Sequence, residues 1–145
     1  LQVAIADPRR VALLFQPVLL RCRFQTAAPE PPPVVTWKYK SFCPQTGSSG
    51  NLLGAGEADG SATAQVATGD CPDGARTIRI VATKQGATVT LGDYYRGRAV
   101  TIVGGAELSL GPVAWGDSGL YVCTVTSTQD LQGNNEAVAE LVVLG

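Results

Sequence analysis

The chain has 145 residues, a length that fits one domain with its own core. Its formal net charge is −1 and 45% of it is hydrophobic, which excludes the basic surface of a nucleic-acid-binding protein and leaves enough apolar side chains for a core. There is no histidine, so imidazole acid–base catalysis, histidine-activated nucleophiles and the commonest metal ligand are all removed; no enzyme, metal or cofactor is expected.

Short runs alternate apolar and polar side chains along most of the chain, as half-buried strands do. Positions 1–6 and 10–15 read as a split first strand broken at Asp7-Pro8, and 17–24 as strand B, with Leu20, Cys22 and Phe24 sharing one side. The proline-rich stretch 26–33 is a loop that cannot join a ladder. Positions 34–42 read as strand C, with Val35, Trp37 and Tyr39 inward and Thr36, Lys38 and Lys40 outward. From 44 to about 75 the composition turns to Gly, Ser, Ala, Asp and Thr, which marks an insertion loop. Strand patterning returns at 76–83 (C′), 88–91 (C″), 100–103 (D), 107–110 (E), 120–127 (F) and 137–144 (G), and the polar loop 128–136 joins F to G. No stretch is long and apolar enough to span a bilayer: the longest, 11–20, is broken by Gln16 and Pro17. With strand-like sequence at both of its ends, the chain reads as an excised ectodomain.

Three of these strands carry a frame. Cys22 lies in B, Trp37 in C, and Asp117-Ser118-Gly119-Leu120-Tyr121-Val122-Cys123 leads into F. A disulfide between two facing sheets, an indole packed on it, and a tyrosine two residues before the second cysteine define an immunoglobulin-like sandwich. The predicted fold is all-β: a V-type sandwich of two antiparallel sheets, one domain over 1–145, with Cys22 bonded to Cys123. Closing a loop of that size stabilises by about 4.7 kcal/mol in the chain-entropy model. Cys43 and Cys71 flank the insertion, and pairing them would cinch it onto the end of strand C, while the other connectivities would separate Cys22 from Cys123. Widely spaced cysteines in even number fit two disulfides and an extracellular setting better than a zinc site.

Asp117 calls for an arginine at the start of D. Arg98 is the candidate, although strand parity would put that arginine at position 99, which is Ala99. Tyr121 is expected to bond backbone at the E–F corner. Trp115 is read either as a rim residue covering the core or as an exposed aromatic anchor for a partner. The outward face of G, F, C and C′ is the candidate protein interface. Parity gives it Thr36, Lys38, Lys40, Val122 and Thr124, with Arg79 and Val81 from C′, and Asp130 and Glu136 add a weak acidic patch in the F–G loop. A mixed surface of small apolar, hydroxyl and basic groups suits a protein partner better than a small-molecule pocket.

Beyond the frame, Trp37-Lys38-Tyr39-Lys40-Ser41-Phe42-Cys43 and the stretches 79–86, 89–95, 115–119 and 129–137 closely resemble the angulin family. The resemblance covers nearly the whole chain and is poor over the insertion, 44–70. It implies a type I single-pass membrane protein with one extracellular immunoglobulin-like domain, located at tricellular tight junctions of epithelia. It also implies recruitment of tricellulin through a cytoplasmic part absent from this chain. For one family member it implies uptake of triglyceride-rich lipoproteins and binding of clostridial binary toxins. Self-association through the sheet face, in cis or in trans, is the expected junctional activity, and ligand capture by loops and sheet edge is the alternative.

Overall fold

The computed structural model describes residues 1–43, 72–131 and 133–145. The chain divides into two compact units: residues 1–40 with 79–145, and residues 41–78.

The first unit holds the sandwich. One layer is a six-stranded sheet in the order β2 (Arg9–Leu13), β11 (Glu136–Leu144), β10 (Gly119–Thr126), β5 (Val34–Lys40), β6 (Ile78–Gln85), β7 (Thr88–Leu91). The other is laid out in two pieces: β1 (Gln2–Ile5) with β4 (Cys22–Gln25), and β3 (Val18–Leu20) with β9 (Glu107–Leu110) and β8 (Val100–Val103). The expected single B strand is therefore two, parted at Arg21, with different partners on either side. The split first strand also changes layer. Its first half, β1, runs antiparallel to β4, while β2 runs parallel to β11 through five residue pairs from Arg9↔Glu140 to Leu13↔Leu144. The pairings of β10 with β11 and β5, of β6 with β7, and of β9 with β3 and β8 are antiparallel.

Alternation explains the core. Val35, Trp37 and Tyr39 of β5 face Tyr121, Cys123 and Val125 of β10 in direct register, and all six are buried. Leu20, Leu108, Leu110 and Ile102 close the core from the opposite layer. Cys22 and Cys123 are bonded with Cα atoms 6.6 Å apart. The Trp37 indole, fully buried, places its one polar atom by donating Nε1–H to the Ala106 carbonyl at 2.9 Å, which removes the cost of an orphaned donor.

The E–F corner is built on Asp117 and Tyr121. The Tyr121 hydroxyl donates to the Asp117 carbonyl at 2.6 Å, and burial pushes its pKa far up. Tyr39 packs edge-on against Tyr121 with centroids 5.4 Å apart and donates its hydroxyl to the Ser118 carbonyl at 2.7 Å. A Cβ at Gly119 would lie 2.5 Å from the Tyr39 ring and 2.8 Å from the Lys40 carbonyl, so the glycine of the motif is required by close packing of β10 on β5.

In the second unit, Ser41 and Thr77 are tied by two bonds: the Ser41 N–H donates to the Thr77 carbonyl and the Thr77 N–H to the Ser41 hydroxyl, both at 2.8 Å. Cys43 is buried and disulfide-bonded. Its expected partner Cys71, and the insertion over 44–71, lie outside the described residues.

Candidate functional site: the outward sheet face and the C′ edge

Register across the six-stranded sheet assembles the predicted interface in rows. Thr36 lies opposite Thr124, which lies opposite Glu136; Lys38 opposite Val122, then Val138; Lys40 opposite Leu120, then Glu140, then Arg9. Continuing along the sheet, Val142 meets Val11 and Leu144 meets Leu13. Because side chains alternate, each of these points away from the core. The face carries exposed apolar groups toward its β2–β11 edge: Val138 is 45% exposed and Val11, Leu13 and Leu144 are more so. Ile80 of β6 adds a further exposed apolar group. Lys38 and Glu136 supply exposed charge, Glu140 meets Arg9 at 3.4 Å, and the Thr124 hydroxyl lies 3.5 Å from the Glu136 carboxylate. The face thus mixes exposed apolar groups with charges of both signs, a composition that protein interfaces also show.

Five expected positions depart from the simple picture. Val122 does lie on this face but is only 6% exposed, covered by its neighbours on both sides. Val81 was expected outward and is fully buried. Arg79 shares its parity and turns inward: its guanidinium carbon sits 3.8 Å from the Tyr94 ring centroid, 4.4 Å from Tyr39 and 5.7 Å from Tyr95, with Nε 3.5 Å from the Tyr95 hydroxyl. Three rings offer the cation a surface worth more than water at this half-buried position, so Ile80 goes outward in its place. Asp130 is not an open acidic patch. Its carboxylate accepts from the Leu1 amine and the Ala27 N–H at 2.9 Å and from the Thr26 hydroxyl at 2.8 Å. These bonds, the amine first, hold its pKa down to about 2. Trp115 is exposed, but on the turn before β10 with its ring against Gly145, not on the sheet.

Arg98, the candidate partner of Asp117, makes a two-pronged contact with it. Nη1 donates to Oδ1 at 3.0 Å and Nη2 to Oδ2 at 2.7 Å, while the Ala114 N–H donates to Oδ2 at 2.8 Å. The pair sits under the E–F corner and braces the sandwich. Among the described residues, no group of three or more His, Cys, Asp and Glu could hold a metal ion, and no helix is long and apolar enough to cross a membrane.

The residues that sequence reasoning did not assign to the face are Ile80, Val138, Val11, Leu13 and Leu144. Their strands (Arg-Ile-Val-Ala in β6, Val-Ala-Leu at the end of β2 and Ala-Val-Ala-Glu-Leu-Val-Val-Leu in β11) carry apolar residues on both parities, so alternation alone does not say which side is buried.

The fold is that of an immunoglobulin-like V-type domain. No family model matches the chain, but individual relatives do. It is 50% identical over its full length to the lipolysis-stimulated lipoprotein receptor of Homo sapiens and 49% identical to immunoglobulin-like domain-containing receptor 2 of Mus musculus. It is 34% identical, over 99% of its length, to immunoglobulin-like domain-containing receptor 1 of Homo sapiens. The chain belongs to this family, the angulins. It spans 23%, 22% and 26% of the length of those three relatives. Among solved structures, a chain from the structural basis of T cell specificity and activation by the bacterial superantigen toxic shock syndrome toxin-1 aligns over 98% of both chains. The TM-score is 0.55 at 14% identity, a likeness that bears on the fold alone. The relatives are named receptors, and this domain is not an enzyme.

Proposed function

We propose that this chain is the extracellular recognition domain of a single-pass membrane receptor that organises tricellular epithelial junctions, and that it self-associates through the outward face of the six-stranded sheet. The observation that carries the reading is the set of exposed apolar side chains on that face, Val138 on β11 and the group Val11, Leu13 and Leu144 at the β2–β11 edge, with Lys38, Glu136 and Glu140 among them. A solvated sheet face would carry polar groups at those positions, and Val11, Leu13 and Leu144, adjacent at the β2–β11 edge, form the kind of exposed apolar patch that marks association sites. A two-fold interface needs one surface complementary to itself, which a face carrying both charge signs beside an apolar patch provides. Cytoplasmic partners such as tricellulin would engage a different part of the full protein.

Val122 is too covered to serve as the test, so the variant is Val138→Arg. Its sedimentation should shift toward monomer, and the full-length receptor carrying it should spread from cell corners along bicellular contacts. Unchanged sedimentation and unchanged localisation in a folded Val138→Arg protein would remove the sheet face from the mechanism.

A second reading is ligand capture, of a lipoprotein particle or a clostridial binary toxin, by the F–G loop. Leu131 is 80% exposed there, next to the tied-down Asp130, and presents an apolar tip on a braced base. Exchanging 128–136 for a glycine-serine loop should abolish ligand binding and leave junction targeting intact if this reading holds.

A further inference from the structure

We propose that the groove between β6, β7 and the turn Asp93–Tyr95 is a second recognition site, which takes the carboxylate of an acidic side chain on a protein partner and reads it with Arg79. The groove, about 730 Å³, is walled by Ile80, Leu91 and Tyr94, with Arg79 inside and Asp93 at its rim. Gly92 admits it: a Cβ there would run into the Ile80 carbonyl oxygen, and the Gly92 N–H bonds the Val81 carbonyl at 2.9 Å.

The cation in this groove lacks an anion. Among the described residues no carboxylate lies within ion-pair distance of Arg79. The two nearby candidates are engaged elsewhere: Asp117 is held by both prongs of Arg98, and Asp93 faces Arg96 at 3.4 Å. The guanidinium carbon lies over the Tyr94 and Tyr39 rings, and among the described residues the hydrogen bond of its side chain uses Nε. The terminal N–H groups stay available, in the fork geometry that matches a carboxylate. The rings also fix the side chain before a ligand arrives, which lowers the ordering cost of binding. Tyr94, 53% exposed and in ring contact with Arg79, borders the fork with apolar surface suited to the methylene stem of a glutamate. An arginine beside an exposed tyrosine in a concave site is the composition of an interface hot spot. A phosphate-rich membrane surface is a poorer match, since it is gripped by several cations, and here one cation stands beside an acid. The site uses none of the outward-face side chains except Ile80, so it stands whether or not the domain self-associates.

The test is an NMR titration of the labelled domain, read at the Arg79 Nε–H and the Gly92 and Tyr94 amides. The probes are acetyl-Leu-Glu-Leu-amide, acetyl-Leu-Gln-Leu-amide, inorganic phosphate and phosphatidylserine vesicles. Saturable shifts at all three reporters are expected with the glutamate peptide. Apparent affinity should fall about tenfold, the scale of one lost charged hydrogen-bonding pair, for the glutamine peptide and for Arg79→Gln with the glutamate peptide. Equal response to both peptides, no saturable shift, or an equal response to phosphate or vesicles would overturn the proposal. Should Arg79→Gln fail to fold, Tyr94→Ala, at an exposed position, takes its place. It should weaken the glutamate peptide while leaving the Cys22–Cys123 core signals unmoved, and unchanged affinity there would equally sink the idea.

Discussion

Removing Arg98 is expected to destabilise the sandwich more than any surface substitution can, because of what it leaves behind. Asp117 is 1% exposed, and its carboxylate would keep a single donor, the Ala114 N–H. Breaking a buried pair from one side costs about 3–5 kcal/mol. The Arg98 side chain is itself 26% exposed, so water can partly replace it and the low end applies, about 3 kcal/mol for Arg98→Ala. Asp117→Ala frees an arginine that can swing into solvent, but it also strips the Ala114 N–H of its acceptor, for about 2 kcal/mol. If the two side chains act as one unit, the double variant should cost far less than the sum, with a coupling of about 2 kcal/mol. Urea unfolding of the disulfide-intact domain measures all four corners of the cycle. With a slope of about 2 kcal/mol/M, Arg98→Ala should move the midpoint down by roughly 1.5 M. A coupling under about 0.5 kcal/mol would reduce the contact to an ordinary surface ion pair and refute the reasoning.

Asp130→Asn should lower the melting temperature at neutral pH, by a difference that shrinks as pH falls through about 2 and vanishes only below it. The folded carboxyl titrates below its ordinary 3.8, so its contribution is present above that value and drains away as pH falls through about 2; a gap between the two proteins that persists well below it would contradict the assignment. Gly119→Ala should cost about 3 kcal/mol, from overpacking against Tyr39 and loss of its bond to Ser118, and a melting curve like that of the parent would show that β10 can retreat from β5. Phe15 is 69% exposed with φ of 70°, a left-handed conformation that is costly for a bulky side chain. Phe15→Asn, which tolerates that conformation, should therefore stabilise by about 0.5–1 kcal/mol, and a loss of stability would mean that the ring packs more than its exposure indicates.

The covalent and aromatic frame was legible because it is written in rare residues at fixed offsets. Two cysteines, one tryptophan and the Asp-Ser-Gly-Leu-Tyr-Val-Cys stretch leave few other folds open, and their partners lie directly across β5 and β10. Arg98 was harder, since the chain turns between it and Val100: the Val100 N–H bonds the Arg98 carbonyl at 2.9 Å, so strand parity does not extend to 98. The C′ strand was misread on one face because Ile78-Arg79-Ile80-Val81-Ala82 satisfies either parity, and the charged residue was placed outward by habit of solvation. The one available hint was the Tyr94-Tyr95 pair, whose rings together with Tyr39 hold the guanidinium. Asp130 was assigned to a partner because its acceptors' donors, Leu1, Thr26 and Ala27, lie more than a hundred positions away, beyond any local pattern.

The parallel pairing of β2 with β11 bears on how the domain carries load. A pull between the chain's two ends would slide these strands along each other, so their hydrogen bonds must yield together and not one at a time, as they do when a hairpin is peeled open. Five registered residue pairs from Arg9↔Glu140 to Leu13↔Leu144 thus act as a mechanical clamp between the first and last strands of the six-stranded sheet. Single-molecule stretching that found rupture forces no higher than those of a peeled hairpin would deny the clamp its role.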